Sequence, residues 1–264
     1  MYNFSYQRPT SLAAAAAALA QNPDARLLAG GQSLIAAMKL RLARPELLVD
    51  LSALSELHGI RQDGDRIVIG AMTRHAEVAA SALVRQAIPA LAELAGDIGD
   101  RQVRNAGTLG GAIANADPAA DYPAAVLGLN ATIETDRRSI AADNFFLGLY
   151  TTALEPGEII RAVAFPRPRR AAYAKFKQPA SRFALVGVFV AETGEGPRVA
   201  ITGAGPVAFR AGAFEHALAA NFSAAALASL QIDVAGLNSD QHAQADYRAH
   251  LIGVLAQRAV AAAH

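Results

Sequence analysis

Apolar positions fall in short blocks separated by polar and glycine-rich stretches, a pattern that predicts alternating strands and helices. In the first two thirds of the chain, strands are predicted at residues 27–29, 47–49, 67–69 and 159–165. Helices are predicted at residues 33–41, at residues 81–94 and in the alanine-rich run that follows the N-cap residues Thr10 and Ser11.

A rigid, basic stretch from Arg167 to Arg170 follows the last of these strands and marks a predicted domain boundary at residue 168. Beyond it, strands are predicted at residues 173–176, 185–191 and 198–202. Helices are predicted after these strands, at residues 208–219, 224–230 and 241–263. Strands followed by helices within one segment are typical of an α+β module.

The composition is that of a chain that buries a sizeable core, with 53% hydrophobic and 18% charged residues among 264. A formal net charge of +1, without a block of like charge, argues against nucleic-acid binding. Because the chain has no cysteine, it contains no disulfide, no thiolate zinc site and no cysteine-ligated iron–sulfur cluster. The six histidines show no metal-ligand spacing, so we predict no metal site and interpret them as surface or structural residues.

No apolar run approaches the length of about 18 residues that spans a bilayer, so no membrane span is predicted. The alanine-rich segment at residues 12–20 could be a signal peptide, because Ala18-Leu19-Ala20 resembles a cleavage site. Alanine is only weakly hydrophobic and a single cation, Arg8, precedes the segment, so we favour a helix and a cytoplasmic protein.

Two glycine-rich loops carry the candidate chemistry, at residues 29–33 and 107–111, and each opens a helical stretch with a Ser or Thr hydroxyl. Glycine lets successive backbone N–H groups approach an anion closely, which suits a diphosphate. Neither loop carries the lysine of a P-loop. One such loop alone would be interpreted as a turn, but two favour a site that holds a dinucleotide.

Two other motifs are weaker. Gly203 to Ala208 matches a G-x-G-x-x-A dinucleotide fingerprint, but no acidic residue follows between His216 and Ile232, so we interpret it as a strand-to-helix turn. Gly31-Gln32-Ser33 begins like the nucleophile elbow of a hydrolase, yet Ile35 stands where the second glycine should be.

Only three lysines occur in the chain, and two of them, Lys175 and Lys177, share one face of a predicted strand. That face could be solvated. It could equally place a cation beside an electron-rich cofactor ring, where the charge would stabilise a reduced form.

Three stretches in this order resemble the FAD-binding medium subunit of molybdenum hydroxylases, of the xanthine dehydrogenase and aerobic carbon monoxide dehydrogenase types. They are Ala29 to Leu34, Arg101 to Gly111 and Asn115 to Pro123. The resemblance covers nearly the whole chain. It departs from the usual pattern at Gln32, where a histidine is common, and at Ala112, where an asparagine is common.

The resemblance implies an α+β fold: a two-part FAD-binding domain of the PCMH type at residues 1–168, with lobes at about 1–54 and 55–168, then a small α+β domain at 169–264 with a short antiparallel sheet and helices. It implies that the two loops hold the diphosphate through main-chain N–H groups, that Asp121 binds a ribityl hydroxyl, and that the Ile160 backbone and Lys177 lie near the isoalloxazine, with Phe183 beside the ring. The implied cofactor-binding residues are Ala29, Gly30, Gly31, Gln32, Ser33, Leu34, Thr108, Gly110, Gly111, Ala112, Asp121, Ile160 and Lys177.

The resemblance also implies a function, in which this subunit takes electrons from iron–sulfur clusters of a partner into FAD and passes them to an external acceptor. A large partner would carry molybdopterin, a small partner would carry the clusters, and a dimer of heterotrimers is expected. FAD should be non-covalent because the chain has no cysteine and neither loop has a histidine, and no catalytic side chain is required. Two alternatives stay open: a stand-alone flavin oxidoreductase of the same fold, and an assembly subunit without FAD.

Overall fold

Three parallel strands form the first lobe of the chain, whose residues 1–264 are all described by a computed structural model. Its elements are β1 (Ser5–Gln7), α1 (Leu12–Gln21), β2 (Ala25–Leu28), α2 (Leu34–Lys39) and β3 (Leu47–Asp50). The strand order is β1-β3-β2, and the central strand contributes the buried side chains of Leu48 and Val49. The Ser11 hydroxyl accepts from the backbone N–H of Ala14 and caps α1, as the sequence predicts.

An antiparallel sheet and six short helices form the second lobe. Its elements are β4 (Ile60–Asp63), β5 (Arg66–Gly70), α3 (His75–Ala80), α4 (Ala82–Ala87), α5 (Pro89–Gly96), α6 (Arg101–Ala106), α7 (Leu109–Asn115), α8 (Tyr122–Gly128), β6 (Thr132–Thr135), β7 (Ser139–Ala141), β8 (Phe146–Gly148), β9 (Thr151–Thr152) and β10 (Ile160–Pro166). The five-stranded sheet has the order β4-β5-β10-β6-β7, and β8 pairs only with β9.

The single helix predicted at residues 81–94 is wrong, because α4 and α5 are separate helices. The break lies at Ile88, whose φ of −143° and ψ of 70° are not helical. Pro89 follows directly, and proline disfavours the helical conformation in the residue before it. Pro89 then occupies the first turn of α5, where its missing N–H costs nothing.

Four antiparallel strands and two helices form the C-terminal part. They are β11 (Arg170–Lys177), β12 (Ala184–Thr193), β13 (Gly196–Thr202), β14 (Phe209–Arg210), α9 (Gly212–Ala220) and α10 (Ala245–Ala262). The helix predicted from residue 208 begins at Gly212 instead, because Phe209 and Arg210 pair with β13. The helix predicted at 224–230 is a single 3-10 turn, Ala224–Leu227.

The C-terminal sheet packs on the second lobe. Phe189 and Ala200 of this sheet belong to the same buried cluster as the helices of the second lobe. A Cβ added to Gly128 at the end of α8 would lie 2.7 Å from the Phe189 ring, so glycine there permits close contact. The other face of the sheet packs against α10 through residues such as Ile252 and Leu255. This packing places β11 beside the chain segments around residues 97 and 121. The domain boundary at residue 168 stays a prediction.

Candidate functional site

A cavity of about 570 Å³ lies between the first and second lobes, and both glycine-rich loops line it. Eleven of the thirteen predicted cofactor-binding residues are among its lining residues, and the two that are not are Asp121 and Lys177. The eleven are Ala29, Gly30, Gly31, Gln32, Ser33, Leu34, Thr108, Gly110, Gly111, Ala112 and Ile160. The structure therefore brings together two segments that lie far apart in the sequence.

The first loop joins the end of β2 to the start of α2 and presents unused backbone donors. None of the N–H groups of residues 30–34 donates to an acceptor within the protein. Gly31 has a φ of +71°, a conformation that glycine adopts without strain. Consecutive free N–H groups in such a turn form a concave site that suits an anion.

The two loops touch at Gly30. A Cβ added there would lie 2.1 Å from the carbonyl oxygen of Ala106 and 2.7 Å from Cα of Gly107. A second contact joins Gly111 to the first loop, since a Cβ added to Gly111 would lie 3.3 Å from that of Ala29. Glycine is therefore required at position 30 for the loops to meet, a role that differs from contact with a ligand.

The second loop uses its own backbone donors internally. The N–H groups of residues 109–112 donate in order to Thr73 O (3.0 Å), Ala71 O (2.8 Å), Thr108 Oγ1 (3.2 Å) and Thr108 O (3.0 Å). A Cβ added to Gly110 would lie 2.5 Å from that of Ala71, so this glycine serves packing. The first loop thus offers donors to the cavity, whereas the second shapes its wall.

His75 lines the cavity and is buried, with an exposed fraction of 5%. Burial, aided by the nearby Arg104 charge, lowers the pKa of its imidazole to about 4, so the ring is neutral at pH 7. Its Nδ1 has no hydrogen-bond partner, and a Cβ added to Gly107 would lie 2.5 Å from its Nε2. Sequence reasoning did not single out His75, because no ligand spacing or charge pattern distinguishes it from the other histidines.

Glu158 also lines the cavity, but its charge is offset. Its carboxylate accepts two hydrogen bonds of 3.0 Å from the guanidinium of Arg138, and one of 2.7 Å from the hydroxyl of Thr135. The Arg138 hydrogen bonds lower the pKa of Glu158 to about 2. The ionisable residues that line the cavity are Arg26, His75 and Glu158. Of these, His75 is neutral at pH 7 and Glu158 is paired with Arg138.

Asp121 lies outside the cavity lining, at the start of α8. Its carboxylate accepts a hydrogen bond of 2.7 Å from the hydroxyl of Tyr173 and lies 2.9 Å from Nζ of Lys175. Burial raises the pKa of Asp121, and the Lys175 charge opposes that rise. The Lys175 side chain is only 2% exposed. The possibility of a wholly solvated face for the two lysines is therefore wrong, because Lys175 is buried in an ion pair.

Lys177 is half exposed and pairs with Asp97, with 3.0 Å between Nζ and Oδ1. Asp97 directly precedes Ile98, which lines the cavity, although neither Asp97 nor Lys177 is itself a lining residue. The Phe183 ring packs edge-on against His242, with 5.5 Å between the ring centroids, and neither residue lines the cavity. The roles assigned to Asp121, Lys177 and Phe183 stay predictions.

The Gly203 loop is a packed turn between β13 and β14. The N–H of Gly203 donates to Pro118 O over 2.7 Å, and a Cβ added to Gly203 would lie 2.4 Å from Ala184 O. It leads into a strand and not directly into a helix, so that detail of the prediction is wrong. Gly203 itself is therefore held by contacts within the protein, and no residue of this turn lines the cavity between the first two lobes.

Comparison with known proteins assigns this arrangement to a class. Residues 2–168 match the family described as FAD binding domain in molybdopterin dehydrogenase, and the chain belongs to that family. The chain is 39% identical over 277 residues to the carbon monoxide dehydrogenase medium chain of Hydrogenophaga pseudoflava, covering 98% of this chain and 96% of that one. These matches confirm the predicted family and its assignment to FAD-dependent oxidoreductase subunits.

Solved structures share the whole fold. A chain of the reconstituted CO dehydrogenase from Oligotropha carboxidovorans superposes with a TM-score of 0.91 at 36% identity, covering 98% of this chain and 97% of that one. A chain of quinoline 2-oxidoreductase from Pseudomonas putida 86 gives 0.89 at 31% identity, with 98% and 96% covered. The predicted α+β fold of the PCMH type is confirmed. No helix combines the length and apolar character needed to cross a bilayer.

Proposed function

We propose that the chain binds FAD non-covalently in the cavity between its first two lobes and acts as the electron-transfer subunit of a molybdenum-containing dehydrogenase. The observation that carries this proposal is the row of free N–H groups at residues 30–34, set against the second glycine-rich loop in one cavity. These N–H groups have no hydrogen-bond acceptor within the protein, and the oxygens of a diphosphate would serve as acceptors. The match to a FAD-binding family supplies the identity of the nucleotide.

The residues of this chain would bind and orient the cofactor. The N–H groups of residues 30–34 donate to the diphosphate, while Thr108, Gly110, Gly111 and Ala112 shape the opposite wall. The Ile160 backbone borders the cavity at the start of β10. FAD supplies the redox chemistry, accepting and releasing electrons one or two at a time. The lining residues His75 and Glu158 are not poised as proton carriers near neutral pH, which favours electron transfer over chemistry on a substrate.

Partner subunits would supply the other redox centres. Iron–sulfur clusters need cysteine ligands and this chain has none, so clusters that feed the FAD must belong to another chain. The relative from Hydrogenophaga pseudoflava is named a medium chain, which supports a large and a small partner here. We propose that the large partner carries molybdopterin, that the small one carries the clusters, and that two heterotrimers associate in the cytoplasm. Electrons then leave the FAD for an external acceptor.

The visible absorption spectrum of the purified full-length chain tests the proposal. We expect the bands of oxidised flavin at one FAD per chain, with FAD released into the supernatant when the protein is denatured. Co-purification of two further chains, identified by mass, would support the partner assignment. A colourless protein that fails to bind added FAD would refute the proposal in favour of an assembly role. Turnover of a small substrate by the isolated chain would favour the stand-alone oxidoreductase.

A further inference from the structure

Four charged residues of alternating sign, Asp121–Lys175–Asp97–Lys177, form a contact series that we call the charge series, with two ion pairs joined through the backbone carbonyl of Asp97. Lys175 Nζ lies 2.9 Å from the Asp121 carboxylate and donates to the backbone carbonyl of Asp97 over 3.0 Å. Lys177 Nζ lies 3.0 Å from Oδ1 of Asp97. The formal charges of the series sum to zero.

The charge series joins three parts of the chain. Asp97 follows α5, Asp121 precedes α8, and both lysines lie on β11, two residues apart and so on one face of the strand. Its inner end is buried, with Asp121 and the Lys175 side chain 5% and 2% exposed. Its outer end, Asp97 and Lys177, stays half open to solvent beside the cavity residue Ile98.

We propose that the Asp97 carboxylate partly offsets the positive charge that Lys177 presents to the flavin. This inference rests on the proposed function and on the predicted position of Lys177 near the isoalloxazine. While Asp97 pairs with Lys177, its carboxylate offsets the ammonium charge next to the lining residue Ile98. Reduction adds negative charge to a flavin, so a nearby uncompensated cation stabilises the reduced form more than the oxidised one. Asp97 therefore keeps the reduction potential of the bound FAD lower than Lys177 alone would set it.

The geometry separates this role from simple support of the fold. Asp97 accepts a hydrogen bond from Lys175 through its backbone carbonyl. A substitution that changes only the side chain at position 97 retains this carbonyl. Asp97 holds Lys177 through its carboxylate. The variant Asp97→Asn therefore removes the charge at the outer end alone and leaves a similar shape and an oxygen that still accepts from Lys177.

The experiment compares variants of the full-length chain loaded with FAD. The reduction potential is measured by reductive titration with an equilibrating redox dye, and the dissociation constants of oxidised and reduced FAD are measured separately. For Asp97→Asn we expect reduced FAD to gain about tenfold in affinity relative to oxidised FAD, equivalent to a rise of about 30 mV for a two-electron couple. Lys177→Met should shift the potential the other way. The double variant removes one positive and one negative charge from the same place, so its potential should lie above that of Lys177→Met and close to that of the wild type.

Asp63→Asn is the matched control, since it removes one exposed carboxylate paired with Arg61 at the β4–β5 turn and changes the net charge equally. An unchanged potential in Asp97→Asn, an equal shift in Asp63→Asn, or a double variant whose potential is no higher than that of Lys177→Met would each overturn the inference. Should Asp97→Asn fail to fold, Lys177→Met still tests it from the exposed end, and an unchanged potential there would refute it. A wild-type chain that binds no FAD would instead refute the proposed function.

Discussion

Contact between the two glycine-rich loops is the feature on which FAD binding most directly depends, and Gly30→Ala tests it. The new Cβ would lie 2.1 Å from the carbonyl oxygen of Ala106, whereas a tolerable contact needs at least 3.0 Å. The opposing atoms belong to the backbone at Ala106 and Gly107, so no side-chain rotation relieves the clash. We expect the loops to move apart by about 1 Å, which is enough to break hydrogen bonds to a ligand held between them.

The expected loss of FAD affinity follows from the hydrogen bonds that the backbone N–H groups of residues 30–34 would donate. A hydrogen bond from a backbone N–H to a charged group contributes about 1.5–3 kcal/mol. Loss of one such bond from residues 30–34 to the diphosphate would raise the dissociation constant of FAD about 10- to 150-fold. The assay is a fluorescence titration of the FAD-free chain with FAD, accompanied by thermal unfolding to verify that the variant is folded.

Gly64→Ala is the matched control for this measurement. Gly64 has a positive φ of +60° in the turn between β4 and β5, with no atom within 4 Å of an added Cβ. Its substitution costs about 1–2 kcal/mol in backbone strain but leaves the cavity untouched. The reasoning fails if a folded Gly30→Ala chain binds FAD within threefold of the wild type, or if Gly64→Ala weakens binding as much.

Three further predictions concern the buried ionisable groups. Lys175→Met should lower the free energy of unfolding by about 3–5 kcal/mol in denaturant titrations, because it leaves the buried Asp121 carboxylate without its cation. Adding Asp121→Asn to the same chain should recover part of this loss. Glu158→Gln should lose about 3 kcal/mol above pH 4.5, with the difference from wild type closing as pH falls towards 2, since the pKa of Glu158 is about 2 in the fold. The pKa of His75 should be near 4 by NMR, so the wild type should lose up to about 3 kcal/mol between pH 6.5 and 4 as the unfolded state takes up a proton; titration near 6.5 would contradict its burial.

The parts of the site that could be predicted from the sequence are those set by local chemistry. Gly31 needs a positive φ whatever surrounds it, and a turn of this kind at the start of a helix exposes N–H groups by its own geometry. The presence of two such loops already favoured a dinucleotide site, the family likeness named FAD as that dinucleotide, and the structure shows that both loops line one cavity. Neither composition nor periodicity alone relates residues 29–34 to residues 108–112.

The features that escaped prediction depend on partners distant in the sequence. Asp121 meets Tyr173 across 52 positions, and Lys175 meets Asp97 across 78. A strand with alternating lysines is equally compatible with a solvated face, and only the packing of β11 against α5 shows that Lys175 is buried. The neutral state of His75 likewise follows from burial and from Arg104, neither of which leaves a mark in the local sequence.

These distant contacts also bear on which part of the chain makes up the site. The family match ends at residue 168, yet Asp97 and Asp121 find their cations on β11, beyond that point. The segment before Asp121 is bound to the C-terminal sheet as well, since Pro118 O accepts from the N–H of Gly203 over 2.7 Å and Ala119 O accepts from that of Ala184 over 3.3 Å. Without the C-terminal sheet, Asp121 would lose its ion pair and its segment would lose these bonds. The C-terminal sheet therefore supports the segment around Asp121, whereas the residues that line the cavity all belong to the first two lobes.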